Sequence, residues 1–225
     1  MVPPGARIAD IGTDHALLPI ALIRSGRVDH AVATEVRTGP FLVAKSAVEG
    51  CGLADRIAVR LGDGLAPLRA GEVDTAIIAG MGGNTIVEIL GKSLLVSQLD
   101  RLILQPMTKA ATVRRWLTDK GWELEQEELV REEGRIYEII SAVPGDIPAQ
   151  QANCQAAVMD EILFYVGPVL WQRKHPLLKE HLLNLREETA AALMGMRRSP
   201  SALKTVKYKV YAARLLRLEE MLRCL

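Results

Sequence analysis

The sequence predicts an α/β fold, a mostly parallel sheet closed by an antiparallel hairpin, with a separate helical unit behind it. Three observations carry this expectation. Short apolar runs alternate with stretches of helical periodicity up to about residue 143, the rhythm of repeated β-α units around a parallel sheet. Two adjacent extended runs then follow, joined only by Glu132-Glu133-Gly134, which is too short for a crossover helix and reads as a hairpin. Beyond the turn-rich Pro144-Gly145-Asp146-Ile147-Pro148 the pattern is purely helical, because Gly and Pro punctuate the chain there.

Five parallel strands are expected at residues 7–11, 30–35, 57–61, 75–79 and 101–105, each brief and rich in Val, Ile, Leu or Ala, as strands buried on both faces are. Helices are expected between them at 17–24, 40–50, 83–92 and 112–120, several ending in a basic residue or Gly. The hairpin takes residues 122–131 and 135–143, one of its strands antiparallel to the rest. That combination is the Rossmann-like arrangement of class I methyltransferases, and it differs from an all-parallel dehydrogenase domain. Residues 1–145 form this first domain and 149–225 a second. In the second, Leu178, Leu182, Leu185, Thr189, Ala192 and Met196, then Tyr208, Tyr211, Leu215, Leu218 and Leu222, recur at spacings of three and four. They predict an antiparallel, coiled-coil-like helical hairpin.

Bulk properties exclude several classes. Apolar residues make up 49% of the 225 and charged residues 24%, and no stretch approaches the roughly 18 apolar residues of a membrane span. The chain enters an apolar strand without a signal-type segment, so a cytoplasmic protein with no membrane association is expected. Cys51, Cys154 and Cys224 lack paired spacing, which argues against a metal site or a disulfide framework. No obligate protein partner is indicated. Residues 1–149 carry 16 Lys+Arg against 20 Asp+Glu, net −4, and the remainder 12 against 7, net +5. A basic appendage suits a polyanionic partner, although a solvated helical surface accounts for it equally well.

The first strand ends in Asp10-Ile11-Gly12 and leads into Thr13-Asp14-His15-Ala16-Leu17, where this architecture binds nucleotide-like ligands. A dinucleotide fingerprint asks for G-x-G-x-x-G; here Asp14 stands where a second glycine belongs, and its carboxylate would repel a pyrophosphate. Asp10 and Asp14 suit a cation with an ammonium and a sulfonium, S-adenosylmethionine, unless Asp10 simply closes a turn. Glu35, ending the second strand, can accept from ribose hydroxyls. Asp63, in Gly62-Asp63-Gly64 after the third, can accept from an adenine amine. Acids at the carboxyl ends of three successive strands make a constellation stronger than any one of them. The fourth strand ends in Gly80-Met81-Gly82-Gly83-Asn84, the floor of the acceptor site in this architecture. The fifth ends in Gln105-Pro106-Met107, whose amide either pairs with a base edge or satisfies a loop.

These blocks together resemble the bacterial TrmK family, tRNA methyltransferases that modify N1 of the adenine at position 22. The resemblance runs in order through Asp10-Ile11-Gly12-Thr13-Asp14-His15-Ala16, Glu35-Val36, Arg60-Leu61-Gly62-Asp63-Gly64-Leu65, Ile78-Ala79-Gly80-Met81-Gly82-Gly83, Leu102-Ile103-Leu104-Gln105-Pro106 and Tyr137-Glu138-Ile139-Ile140. The helical tail fits it too. Two features depart from the family: the chain starts almost at the first strand, where members carry a further segment, and Met107 replaces an expected polar residue. The resemblance implies S-adenosylmethionine as cofactor, held by Asp10, Gly12, Asp14, Glu35, Asp63, Gly64 and Gly80. It implies an acceptor site at Asp14, His15, Gly80, Met81 and Gly82, and tRNA as partner. Substrate contacts are expected from Gln105, Pro106, Arg173, Lys174, Arg197, Lys204 and Lys207, with Lys179, Arg198 and Lys209 adding charge. A small-molecule methyltransferase and a non-catalytic cofactor-binding module are the alternatives.

Overall fold

A computed structural model describes residues 1–145, 161–199 and 201–225. Seven strands form one sheet: β1 (Ile8–Ile11), β2 (Ala31–Glu35), β3 (Ile57–Leu61), β4 (Thr75–Gly82), β5 (Arg101–Thr108), β6 (Trp122–Glu132) and β7 (Arg135–Pro144). Their order is β3-β2-β1-β4-β5-β7-β6. The first five are mutually parallel and β7 is antiparallel to both β5 and β6, the predicted arrangement. The chain leaves β1 toward β2 and leaves β4 toward β5, so the strand order reverses between β1 and β4 and marks the switch point of the sheet at their carboxyl ends.

Two strands run three residues past their expected ends. Met81 pairs with Pro106 and Gly82 with Thr108 across two register shifts, so Gly82 continues the ladder, while Gly80 is left out of it at a φ of 74° and Gly83 opens the next helix. Helices α1 (Leu17–Arg24), α2 (Thr38–Gly50), α3 (Gly83–Lys92) and α4 (Ala110–Asp119) connect the strands. Helix α2 starts two residues before Pro40, whose missing N–H is harmless in a first turn. Helix α4 also starts two residues early, behind Lys109, which holds a left-handed φ of 57°.

The tail contains α5 (Glu161–Val166), α6 (Pro168–Gln172), α7 (Leu178–Met196) and α8 (Val206–Arg223). The short α5 and α6 are absent from the helical periodicity because neither completes two turns. The α7 seam is buried at Leu178, Leu182, Leu185 and Thr189, joined by His181 and Leu193, while α8 buries Leu218 and Met221 and leaves Leu222 half-exposed. The expected start of a second domain at residue 149 lies outside the described residues. The tail shares a core with the sheet: Leu129 of β6 is buried with Leu170, Leu182 and Leu218.

Arg114 of α4 organises that junction. Its side chain is fully buried, with Nε donating to Glu127 Oε1 at 2.5 Å, Nη2 to Glu138 Oε2 at 2.5 Å and Nη1 to the Phe164 carbonyl at 2.9 Å. Glu127 Oε2 accepts the backbone N–H groups of Val169 at 2.8 Å and Leu170 at 3.3 Å. His181 Nε2 meets the Val166 carbonyl at 3.1 Å. Burial holds the His181 imidazole below its ordinary pKa, so on acidification the unfolded chain takes up a proton that the folded chain resists, and stability declines below about pH 6.5. Replacing Arg114 alone leaves two carboxylates buried without their cation. Urea titration of Arg114→Met is expected to show a loss of about 3–5 kcal/mol, with partial recovery when Glu127→Gln and Glu138→Gln are added.

Candidate functional site

At the end of β1 the chain bends through Gly12 (φ 74°), Asp14 (φ 51°) and Ala16 (φ 55°). Two of these are non-glycine residues in the left-handed region, a conformation costing about 1–3 kcal/mol each that persists only when its surroundings enforce it. The enforcement is visible. Gly12 and Thr13 donate their N–H groups to the Thr34 carbonyl at 2.8 and 3.0 Å, and Ala16 donates to the Thr13 carbonyl at 3.1 Å. The Thr13 hydroxyl donates to Asp10 Oδ2 at 2.6 Å. The positive φ is what calls for glycine at position 12; a Cβ there would stand 2.2 Å from Met81 Cε, the movable end of a flexible side chain. The β1 and β4 loops therefore touch.

Beside that contact lies a cavity of about 240 Å³ whose wall includes Gly12, Thr34, Glu35, Asp63, Gly64 and Met81, completed by Thr85, Ile89 and Lys92 from α3 and its neighbourhood. Glu35 is buried at 4% exposure. Its Oε1 accepts the Arg37 N–H at 2.9 Å, and its Oε2 takes no hydrogen bond among the described residues. Asp63 is exposed. Of the residues expected to hold a cofactor, Gly12, Glu35, Asp63 and Gly64 share this wall. Asp10 sits behind it, turned onto Thr13 and also closing the turn. Burial pushes the Asp10 carboxyl up to about 6, against the opposing Thr13 hydrogen bond. Asp14 and Gly80 lie outside the wall, and Asp14 instead faces His15, Oδ2 to Nδ1 at 3.0 Å, both more than half exposed.

The Gln105 amide has a partner within the protein at both its oxygen and its nitrogen. Its Oε1 accepts the Gly80 N–H at 2.8 Å and its Nε2 lies 3.5 Å from Met107 Sδ, so it braces the β4 end, the loop-satisfying alternative. A second recess, a groove of about 960 Å³, opens between the ends of β4 and β5, the β6–β7 turn and the helical tail, with Asn84, Pro106, Lys109, Arg135, Tyr165, Tyr211 and Arg214 in its wall. Pro106 is the one expected substrate residue in that wall, with Lys207 beside it, its Nζ 5.9 Å from the ring centre of Tyr211. The other expected cations do not form one surface. Arg173 donates to the Glu125 carbonyl at 3.3 Å, in the half of β6 away from the Gly134 turn, with Lys174 beside it. Arg197 meets the Tyr208 hydroxyl at 3.4 Å, near Lys204 and Lys207, on the far side of the 19-residue α7, a helix about 28 Å long. Spacing along the chain could not show that separation. Lys109, Arg135 and Arg214 escaped the sequence reading because the first two stand singly, Lys109 in a loop and Arg135 at the start of β7, and Arg214 stands one place off the expected seam. Among the described residues, no group of three or more His, Cys, Asp or Glu converges as a metal site, and no helix is long and apolar enough to cross a membrane.

A sheet of this order, with acids in place of a pyrophosphate cradle at its carboxyl edge, defines a Rossmann-like methyltransferase, and residues 1–140 match the family model described as a methyltransferase domain. The tRNA (adenine(22)-N(1))-methyltransferase of Bacillus subtilis is 41% identical over 176 residues, covering 77% of this chain and 72% of that protein. The chain belongs to the TrmK family of tRNA adenine-22 N1-methyltransferases. The crystal structure of Bacillus subtilis TrmK superposes with a TM-score of 0.84 at 33% identity, covering 98% of this chain and 94% of that one. Streptococcus pneumoniae Sp1610 in complex with S-adenosyl-L-methionine gives 0.83 at 31% identity, covering 99% and 94%.

The elevated Asp10 pKa has a sign that can be measured. The folded chain binds a proton more tightly there than the unfolded chain, so burying the charged form costs stability at pH 7, and the cost disappears as pH falls toward 4. Asp10→Asn, which keeps an acceptor for Thr13, is expected to raise stability at pH 7 by about 2–3 kcal/mol and to match the wild type near pH 4, by denaturant titration at both pH values.

Proposed function

We propose that this chain transfers the methyl group of S-adenosylmethionine to N1 of adenine 22 in tRNA. The observation that carries the reading is the pair of recesses on either side of one strand end. Met81 faces the acid-lined cavity, and Asn84 and Pro106 face the groove, so a ligand in each meets its neighbour only across residues 80–84. The chain's residues fit the cofactor: Glu35 offers a ribose the carboxylate oxygen that has no hydrogen-bond partner among the described residues, Asp63 an acceptor to an exocyclic amine, and Gly12 bare backbone in the cavity wall. Asp10 and Asp14 add negative charge beside a cation.

When bound, S-adenosylmethionine supplies an electrophilic methyl on a sulfonium. Adenine N1 has a free lone pair, so the protein need remove no proton before attack, and its main task is to align acceptor and methyl. Positive charge then moves onto the base. Stabilisation of that charge is assigned to the Asp14 carboxylate and the carbonyls of residues 80–82, with His15 Nδ1 held 3.0 Å from Asp14 Oδ2. Gln105 acts through Gly80 as a positioning residue and does not contact a base. The target adenine is stacked in folded tRNA, so it must be extruded to reach the crevice. Residues 1–145 and 149–225 divide this work, cofactor on the first unit and tRNA across both. The junction core at Leu129 means that deleting the tail exposes apolar surface, so point variants are the cleaner test.

Incubation with S-adenosylmethionine and total bacterial tRNA, followed by nucleoside mapping, is expected to place 1-methyladenosine at position 22; methylation of free nucleosides without tRNA would favour a small-molecule enzyme instead. Glu35→Gln is expected to weaken cofactor binding by about 10- to 100-fold in calorimetry, since a charge-assisted hydrogen bond is lost in a buried setting. Because a cation beside Asp10 favours its charged form, wild-type cofactor affinity should fall as pH drops through about 6, and this fall should flatten in Asp10→Asn.

A further inference from the structure

The groove walled by the β5–α4 loop, the β6–β7 turn and helices α5 and α8 has a chemistry that the helical tail's basic composition does not explain. Arg214 lies with its guanidinium carbon 3.9 Å from the ring centre of Tyr165 and 4.9 Å from that of Tyr211. Stacked planes of this kind are how arginine and tyrosine meet nucleobases. Arg214 takes no hydrogen bond and no ion pair among the described residues, whereas Arg114 is paired with Glu127 and Glu138, Arg115 with Glu161 and Arg131 with Glu180. Lys109 and Arg135, on the same wall, also lack a carboxylate partner among the described residues. Of the groove's acids, Glu138 is held by Arg114 and Glu187 lies 3.7 Å from Arg186, which leaves Glu188 as the uncompensated one. Three cations without a carboxylate partner among the described residues, and two tyrosines, thus line one recess.

We infer that this groove binds an unstacked nucleotide of the RNA strand adjoining the target adenine, its base stacked on the Tyr165–Arg214–Tyr211 platform and its phosphates on Lys109, Arg135 and Arg214. The inference rests on the tRNA methyltransferase reading and deepens it by placing the RNA-binding surface on this wall. A groove of about 960 Å³ is at the upper end of the roughly 300–1,000 Å³ typical of sites for small organic ligands, which leaves room for a base with its sugar and phosphate. Its Asn84 and Pro106 edge abuts residues 80–82, so a nucleotide there is continuous with a base presented to the cofactor cavity. Lys109 is well placed for a structural reason. Thr108 and Lys109 carbonyls would stand 2.8 and 2.5 Å from a Cβ on Gly83, so the loop is locked against α3 while its ammonium remains free.

The test uses the full chain, purified bacterial tRNA and S-adenosylmethionine, with tRNA Kd measured at several salt concentrations and cofactor Kd measured separately. Lys109→Asn, which tolerates the left-handed backbone, and Arg135→Gln are each expected to weaken tRNA binding several-fold and to lower the salt slope by about one. Tyr211→Leu is expected to weaken it by about 10- to 100-fold, and Tyr211→Phe to retain most of the affinity, because the ring does the stacking. Cofactor Kd should not change in any of the four. Wild-type tRNA Kd, salt slope and KM in Lys109→Asn and Arg135→Gln would overturn the inference even if Tyr211→Leu fails to fold. That result is distinguishable from failure of the underlying reading, in which the wild type itself does not methylate tRNA.

Discussion

A single buried cation holds the two parts of this molecule in the geometry on which the site depends. Arg114 joins α4 to β6 and β7 through Glu127 and Glu138, and reaches the tail through the Phe164 carbonyl. Glu127 in turn receives the first N–H groups of α6. An isolated buried charge is prohibitive, but here every partner is supplied and the carboxylates are satisfied on both oxygens or by a second element. The consequence is positional. The tail can pack only where these polar groups close on one another, a more directional requirement than apolar contact alone.

That docking creates the groove. Tyr165 comes from α5, Arg214 and Tyr211 from one turn of α8, and Lys109 from the loop that ends β5, three segments far apart in sequence. The cofactor side is built differently, from strand ends that parallel pairing places in register, so that Gly12, Glu35 and Asp63 arrive together once the strand order is set. Between the two recesses stands the β4 end, irregular at Gly80 but held by its ladder to β5 and by Gln105 bonding to Gly80.

Much of this was legible in the residues. The strand positions followed from apolar runs, and the antiparallel closure from a connection too short to cross over. The carboxylates at three strand ends pointed to a cationic, adenosine-bearing ligand because Asp14 is incompatible with a pyrophosphate. Less legible were features that depend on distance in space. Gln105 read as a base-pairing amide or a loop brace until its acceptor was seen to be occupied. Arg173 and Lys174 read as one patch with Arg197, Lys204 and Lys207, because a charge count along a chain carries no information about which end of a helix a residue occupies.

Sequence by itself determined the sheet, its switch point and the identity of the acids at its carboxyl edge, because strand period, turn chemistry and the βα rhythm are local properties. Only the tertiary structure decided which cations stay unpaired. Arg114, Arg115 and Arg131 are consumed by carboxylates brought from distant elements, whereas Lys109, Arg135 and Arg214 are left facing a common recess. Whether an arginine holds the fold or faces a ligand is set by what packs against it, and that is a property of the assembled core and not of its place in the chain.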